Sequence, residues 1–319
     1  MDLVTLPPQS VINNTLGALQ IGTLLSYLLF GITTTQVYIY YTRFPEDAPW
    51  IRLMVAFVWI LEATQTGLVG YVVYFYTITD YGDKKHALQS ALPPLLVSFI
   101  LTGAITTLVE LFFIYRIHQL SKRVYVPAIL AVLPFIYFMG TTAFTIASFK
   151  LGTWAHAEEE WGWDILASAI LSVVTDLSIS AALVILLAGN RRRGTATTSA
   201  IIDQVITWTI ETGVATSLCS VLILIFYETM QKSFIWLAVF IIKSRLFSNS
   251  LLASLNSRAA LREIPNITLP ASAPQFSHAG SRMEDHEMFH VQVETKTHVH
   301  RDRLEDSGVR KLWDSEELV

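Results

Sequence analysis

Seven long apolar stretches dominate this chain, and none holds more than two charged residues. They run from Leu16 to Tyr41, Ile51 to Thr77, Leu92 to Arg116, Tyr125 to Phe149, Asp164 to Gly189, Ile201 to Tyr227 and Ser233 to Leu255. Each exceeds the roughly 20 residues a helix needs to cross a bilayer. They lack the alternation of a membrane barrel, and their short connections suit a bundle, so the expected fold is all-α with seven transmembrane helices. Composition agrees: 15% of residues are charged, against about 25% in soluble domains. The mean hydropathy is +0.47. A net charge of -4 gives no reason to expect nucleic acid. The lone cysteine, Cys219, lies in an apolar run and reads as a small packing residue.

Orientation follows from Lys and Arg in the connections. One side carries Arg43, Arg52, Arg116, Lys122, Arg123, Arg191, Arg192, Arg193, Arg258 and Arg262, and the other only Lys84, Lys85, Lys150 and Lys232. The first side is expected in the cytoplasm, which puts the N-terminus outside and the C-terminus inside. The expected organisation is a short outer tail (1–15), a seven-helix domain (16–262) and a cytoplasmic tail (263–319), in the plasma membrane or an endomembrane. No basic leader precedes the first span, which reads as an uncleaved anchor. Asn13-Asn14-Thr15 forms a glycosylation sequon in the outer tail, making Asn13 the candidate acceptor.

The charges inside the spans need a separate explanation. In the seventh span, ten residues precede Lys243, a rise of about 15 Å, which places Lys243 near the midplane and Arg245 about 3 Å beyond it. A cation at that depth costs at least about 2.5 kcal/mol unless it faces the bundle and finds a partner. Counted the same way, Glu62, Asp176 and Glu211 also fall near the midplane, with Glu110 closer to the cytoplasm. Polar neighbours recur at helical spacing: Gln65 and Thr66 after Glu62, Thr102 and Thr106 before Glu110, Ser172 and Ser180 around Asp176, Thr207 before Glu211, and Asn249 and Asn256 after Arg245. Residues three or four apart share a helix face. Five such seams are expected to turn inward and form a polar network of Glu62, Glu110, Asp176, Glu211, Lys243, Arg245 and Asn249. The network reads equally as a device fixing helix neighbours or as a functional site. A lysine in a seventh helix beside carboxylates is also what a retinal Schiff base needs, but an ion-pair partner is the ordinary reading, so no cofactor is expected.

The runs "GTLLSYLLFGITTTQVYIYYTRFP", "MVAFVWILEATQT", "WGWDILASAILSVVTDLSISAALV", "DQVITWTIETG" and "RLFSNSLLASLNSR" resemble a family of seven-span membrane proteins from mushroom-forming fungi that is catalogued as a domain of unknown function. The resemblance spans Leu16 to Arg262 and implies a multi-pass membrane protein without an assigned activity. Lys243 departs from the family pattern, and Arg245 fits it. The topology is also similar to that of G-protein-coupled receptors, but only at the level of fold. The third span ends "FFIYRIHQL" without an acidic-Arg-aromatic triplet, the seventh lacks Asn-Pro-x-x-Tyr, and a single cysteine rules out an outer disulfide.

After Arg262 the chain turns polar, with Pro265, Pro270, Pro274 and five of the eight histidines. That composition reads as a largely disordered tail, able to serve a cytoplasmic protein partner. Its histidines lack the spacing of a zinc module. The tryptophans and acids of "KLGTWAHAEEEWGWDI" read as an outer loop at the interface. The expected function is a receptor-like sensor in a lipid bilayer, with a small-molecule ligand conceivable for its polar interior. A proton- or solute-linked transporter or channel, or a structural or accessory membrane protein, is the alternative. No nucleophile with a base and no metal constellation suggests an enzyme.

Overall fold

The computed structural model describes residues 13–79, 93–121, 124–191, 196–230 and 233–263. Seven long helices account for nearly all of them: α1 (Ala18–Arg43), α2 (Pro49–Tyr74), α3 (Pro93–Ser121), α4 (Tyr125–Leu151), α5 (Trp154–Arg191), α6 (Ala196–Thr229) and α7 (Ile235–Glu263). Short π-helical turns, Asn13–Gly17 and Phe75–Thr79, extend α1 backward and α2 forward. All seven are long and apolar enough to cross a membrane.

Local chemistry explains most boundaries. Pro49 opens α2, where its missing N–H costs no helical hydrogen bond. Gly152 ends α4 in the left-handed region, φ 70°, where a side chain would be strained. Pro134 lies within α4, which continues through it, while Thr107 of α3 donates to its carbonyl at 3.3 Å. One expected boundary moves. The stretch read as an outer loop is helical from Trp154 onward, ten residues before the expected start of the fifth span. The sequence A-H-A-E-E-E-W is rich in good helix formers, so α5 continues past the apolar segment. Trp161 and Trp163 stack on that extension, with centroids 6.1 Å apart.

Consecutive helices pack side by side, and α7 returns to α1 to close the ring. In addition, α3 touches α5 and α7. Accordingly 67% of the apolar segment is buried in α3 and α7, against 28–33% in the other five. Burial is inverted relative to a soluble bundle. The covered face of α1 carries Gly22, Thr23, Ser26 and Thr33, while Ile21, Leu24, Leu28 and Ile32 are exposed. Small and polar residues inside with large apolar residues outside is the arrangement hydrocarbon surroundings favour. This is therefore a multi-pass membrane protein by its residue distribution as well as by its lengths.

Along the bundle axis the interior is layered. At the end holding the start of α1, Phe99, Phe144, Tyr227, Trp236 and Phe240 form an aromatic layer, with Phe99 and Phe240 4.8 Å apart. At the opposite end, Tyr40, Phe44, Val55, Phe112, Phe247 and Leu255 form a second apolar layer. Between them lies a band of buried polar side chains from α1, α2, α3, α5, α6 and α7.

Candidate functional site

Lys243 and Arg245 belong to that band and point in different directions. Two helix positions are about 200° apart around the axis, so adjacent cations on α7 reach different neighbours. Both are almost wholly buried, Lys243 at 2% exposure and Arg245 at 0%.

Arg245 faces α1 and α2. It forms an ion pair with Glu62, donates from Nε to Ser26 Oγ at 2.8 Å and donates from Nη1 to the Glu62 carbonyl at 3.0 Å. Ser248, one turn along α7, donates to Glu62 Oε1 at 2.5 Å. The guanidinium also lies 5.7 Å from the Phe30 ring. Asn249 completes this side, donating from Nδ2 to the Arg245 carbonyl at 2.8 Å and to the Leu29 carbonyl at 3.3 Å. A bridge beside it ties a third helix: Gln65 donates to Thr102 Oγ1 of α3 at 2.7 Å and accepts from Ser244 at 3.3 Å. This half holds one positive and one negative charge. It can fix the register of α1, α2 and α7, since separating its partners would strand a buried charge.

Lys243 faces α3, α4 and α5. Its Nζ donates to Ser172 Oγ at 2.5 Å and lies 5.6 Å from the Tyr137 ring and 5.5 Å from the Phe247 ring. Its electrostatic partners are Asp176 of α5 and Glu110 of α3. Asp176 shares a cavity wall with Thr216 of α6, and Ser220 of α6 donates to Ser172 at 3.5 Å. Glu110 is 2% and Asp176 5% exposed, yet Glu110 Oε2 and Asp176 Oδ2 have no hydrogen-bond partner. Both carboxylates line a cavity shared with Ser180, Thr212, Gly213, Thr216, Phe247 and Ser250. Water centres can occupy about 30 Å³ of it, room for about two molecules. That is far below the several hundred Å³ of an organic-ligand site. A retinal-sized group does not fit there, and the Lys243 amine is already engaged by Ser172.

One member of the expected network lies elsewhere. Glu211 is exposed on the outer face of α6, beside Ile210, Val214 and Leu218. The inward face of α6 is made by Gly213, Thr216, Ser217 and Ser220. Gly213 is there because an added Cβ would collide with the Ser180 hydroxyl. Glu211 sits about 120 to 180° from those positions at 100° per residue.

Four participants were absent from the sequence reading or counted only as neighbours: Ser26, Tyr137, Ser172 and Ser248. Ser248 was accessible, being one turn from Arg245; Ser26 and Tyr137 carry no signal until the helices are docked. A further pairing sits at the end of α7. Arg258 binds Asp47, in the α1–α2 connection, at 2.5 and 3.2 Å and stacks 4.6 Å over Phe44. Tyr40 donates to the same carboxylate at 3.0 Å. Arg116 of α3 donates to Ser254 nearby. At the other end, the Asn13 sequon includes Thr15, which is buried, and the Asn14 carbonyl accepts from the Phe234 N–H at 3.0 Å. The tail expectation lies outside the described residues.

No curated protein and no solved structure matches the chain. Residues 172–260 match a family described as a family of unknown function, DUF6534. That segment runs from Ser172 of α5 into α7 and contains Asp176, Lys243, Arg245, Ser248 and Asn249. Over this stretch the chain is similar to that family, to which no activity is assigned.

Proposed function

We propose that this protein is a receptor-like sensor, with its N-terminus outside and its C-terminal tail in the cytoplasm, and that it resembles seven-span proteins of mushroom-forming fungi, a family without an assigned activity. The reading assigns it no catalytic activity. It resides in the plasma membrane or an endomembrane, and its tail offers a place for a cytoplasmic partner. The carrying observation is the asymmetry of α7: a charge-balanced cluster on the Arg245 side, and an unbalanced cluster bordering a cavity on the Lys243 side. A helix held firmly on one side and poorly compensated on the other can change position when the compensation changes. Because α7 and α3 are the most enclosed helices, such a change spreads through the bundle.

The test uses spin labels at exposed Leu53 of α2 and Ile185 of α5, at the same end of the bundle, in a Cys219→Ser background. The inter-label distance is expected to shift with the solution conditions that change the Lys243 site, and to stay constant in Asp176→Asn. A distance that never changes under any of those conditions refutes the sensor reading. The two carboxylates on the cavity also favour a second reading, proton- or cation-linked transport. Flux in proteoliposomes that Asp176→Asn abolishes would replace the sensor with that transporter.

A further inference from the structure

We propose that the cavity between α3, α5, α6 and α7 binds one monovalent positive charge between Glu110 and Asp176, supplied as an alkali-metal ion or as a proton. The argument begins with charge. Ionised, Lys243, Glu110 and Asp176 sum to -1, and all three side chains are buried. Uncompensated buried charge is costly, and the other groups facing the site do not remove it. Tyr137 of α4 presents a ring to Lys243, Cys219 of α6 brings a thiol and no cation, and Arg245 is occupied by Glu62. One added positive charge makes the cluster neutral.

Geometry supplies the place. Among the described residues, Glu110 Oε2 and Asp176 Oδ2 are buried carboxylate oxygens with neither a hydrogen-bond donor nor an ion-pair partner, and their side chains line the same cavity. Ser180 and Ser250 bring hydroxyl oxygens to its wall. The available space suits an ion with a water or two, or a proton shared through water. It excludes an organic amine. A divalent ion would overshoot to +1, and among the described residues no three His, Cys, Asp or Glu side chains are placed to hold one. The inference deepens the sensor reading by naming what its site takes. Binding is read from stability and sensing from label distance, so either can fail without the other.

The experiment follows the Tm of the full chain in nanodiscs from about pH 5.5 to about pH 8.5, in sodium chloride or choline chloride at equal ionic strength. In choline, Tm is expected to fall as pH rises and the proton leaves. Sodium is expected to restore it at high pH, by on the order of 5 °C at saturation. A pH response that sodium leaves unchanged assigns the charge to the proton; a sodium response at every pH assigns it to the ion. Asp176→Asn and Glu110→Gln each bring the cluster to neutrality with Lys243 and should lose both responses. Glu211→Gln, on the outer face, should keep them. Should the two acid variants not fold, Ser250→Val decides, since it fills the cavity without altering a charge and should abolish the sodium response. A wild-type Tm insensitive to both pH and sodium overturns the proposal. So does a full response in Asp176→Asn or Glu110→Gln, or a full sodium response in Ser250→Val.

Discussion

Replacing Arg245 with Met removes the only cation paired with Glu62 among the described contacts. The Glu62 carboxylate is 0% exposed, so water cannot take over the role of the guanidinium. Ser248 at 2.5 Å remains as its donor, and one hydroxyl does not neutralise a charge. Breaking a buried pair by deleting one partner costs about 3–5 kcal/mol. For a bundle of this size each kcal/mol moves Tm by about 2–4 °C, so Arg245→Met should lower it by roughly 6–20 °C. The double variant Arg245→Met/Glu62→Met should behave differently. It removes both charges and leaves apolar side chains of similar bulk, a change that is often neutral or stabilising. The two substitutions should therefore be strongly non-additive, with a coupling energy of at least about 2 kcal/mol. Thermal unfolding of wild type, both single variants and the double variant measures this. If the double variant is as unstable as the sum of the singles, the pair does not act as a unit and the account of α7 given above is wrong.

Close packing and the remaining charges give three more expectations. A Cβ on Gly22 would stand 2.6 Å from Ala238 Cβ and 2.8 Å from its Cα; Gly22→Ala should therefore push α1 from α7 and cost about 1–3 kcal/mol by overpacking, measured as a lower Tm. Gly31→Ala, with nothing within 4 Å, should show no such loss. Arg258→Ala breaks a partly exposed pair with Asp47 and should cost about 1 kcal/mol, shrinking as salt is added to the melt. Glu211→Gln should change Tm by less than about 0.5 kcal/mol equivalent, as expected for a residue outside the packed interior.

The lengths of the helices were plain in the sequence because hydrocarbon thickness sets them, and no competing force acts on a 25-residue apolar run. Counting rise from the span ends put Glu62, Asp176, Glu211, Lys243 and Arg245 at one level, and all of these but Glu211 lie in the buried polar band. Azimuth was read less well. For Glu62, Glu110 and Asp176 the neighbouring Thr, Ser and Gln residues marked the covered face. For α6 two polar stripes competed, Thr207–Glu211 and Gly213–Thr216–Ser220, and the small residues won because they permit the close approach to Ser180. The near-opposite directions of Lys243 and Arg245 follow from helix geometry and were legible in principle. Which acid each would meet was not, because that depends on helix order around the ring.

Placing two cations back to back on one rod has a mechanical consequence. Any twist of α7 that draws the Lys243 ammonium off Ser172 also drags the Arg245 guanidinium across Ser26 and Glu62. The two halves of the molecule are thereby geared together: neither lysine nor arginine can relax alone, and an event on one flank is felt on the other without any hinge in between.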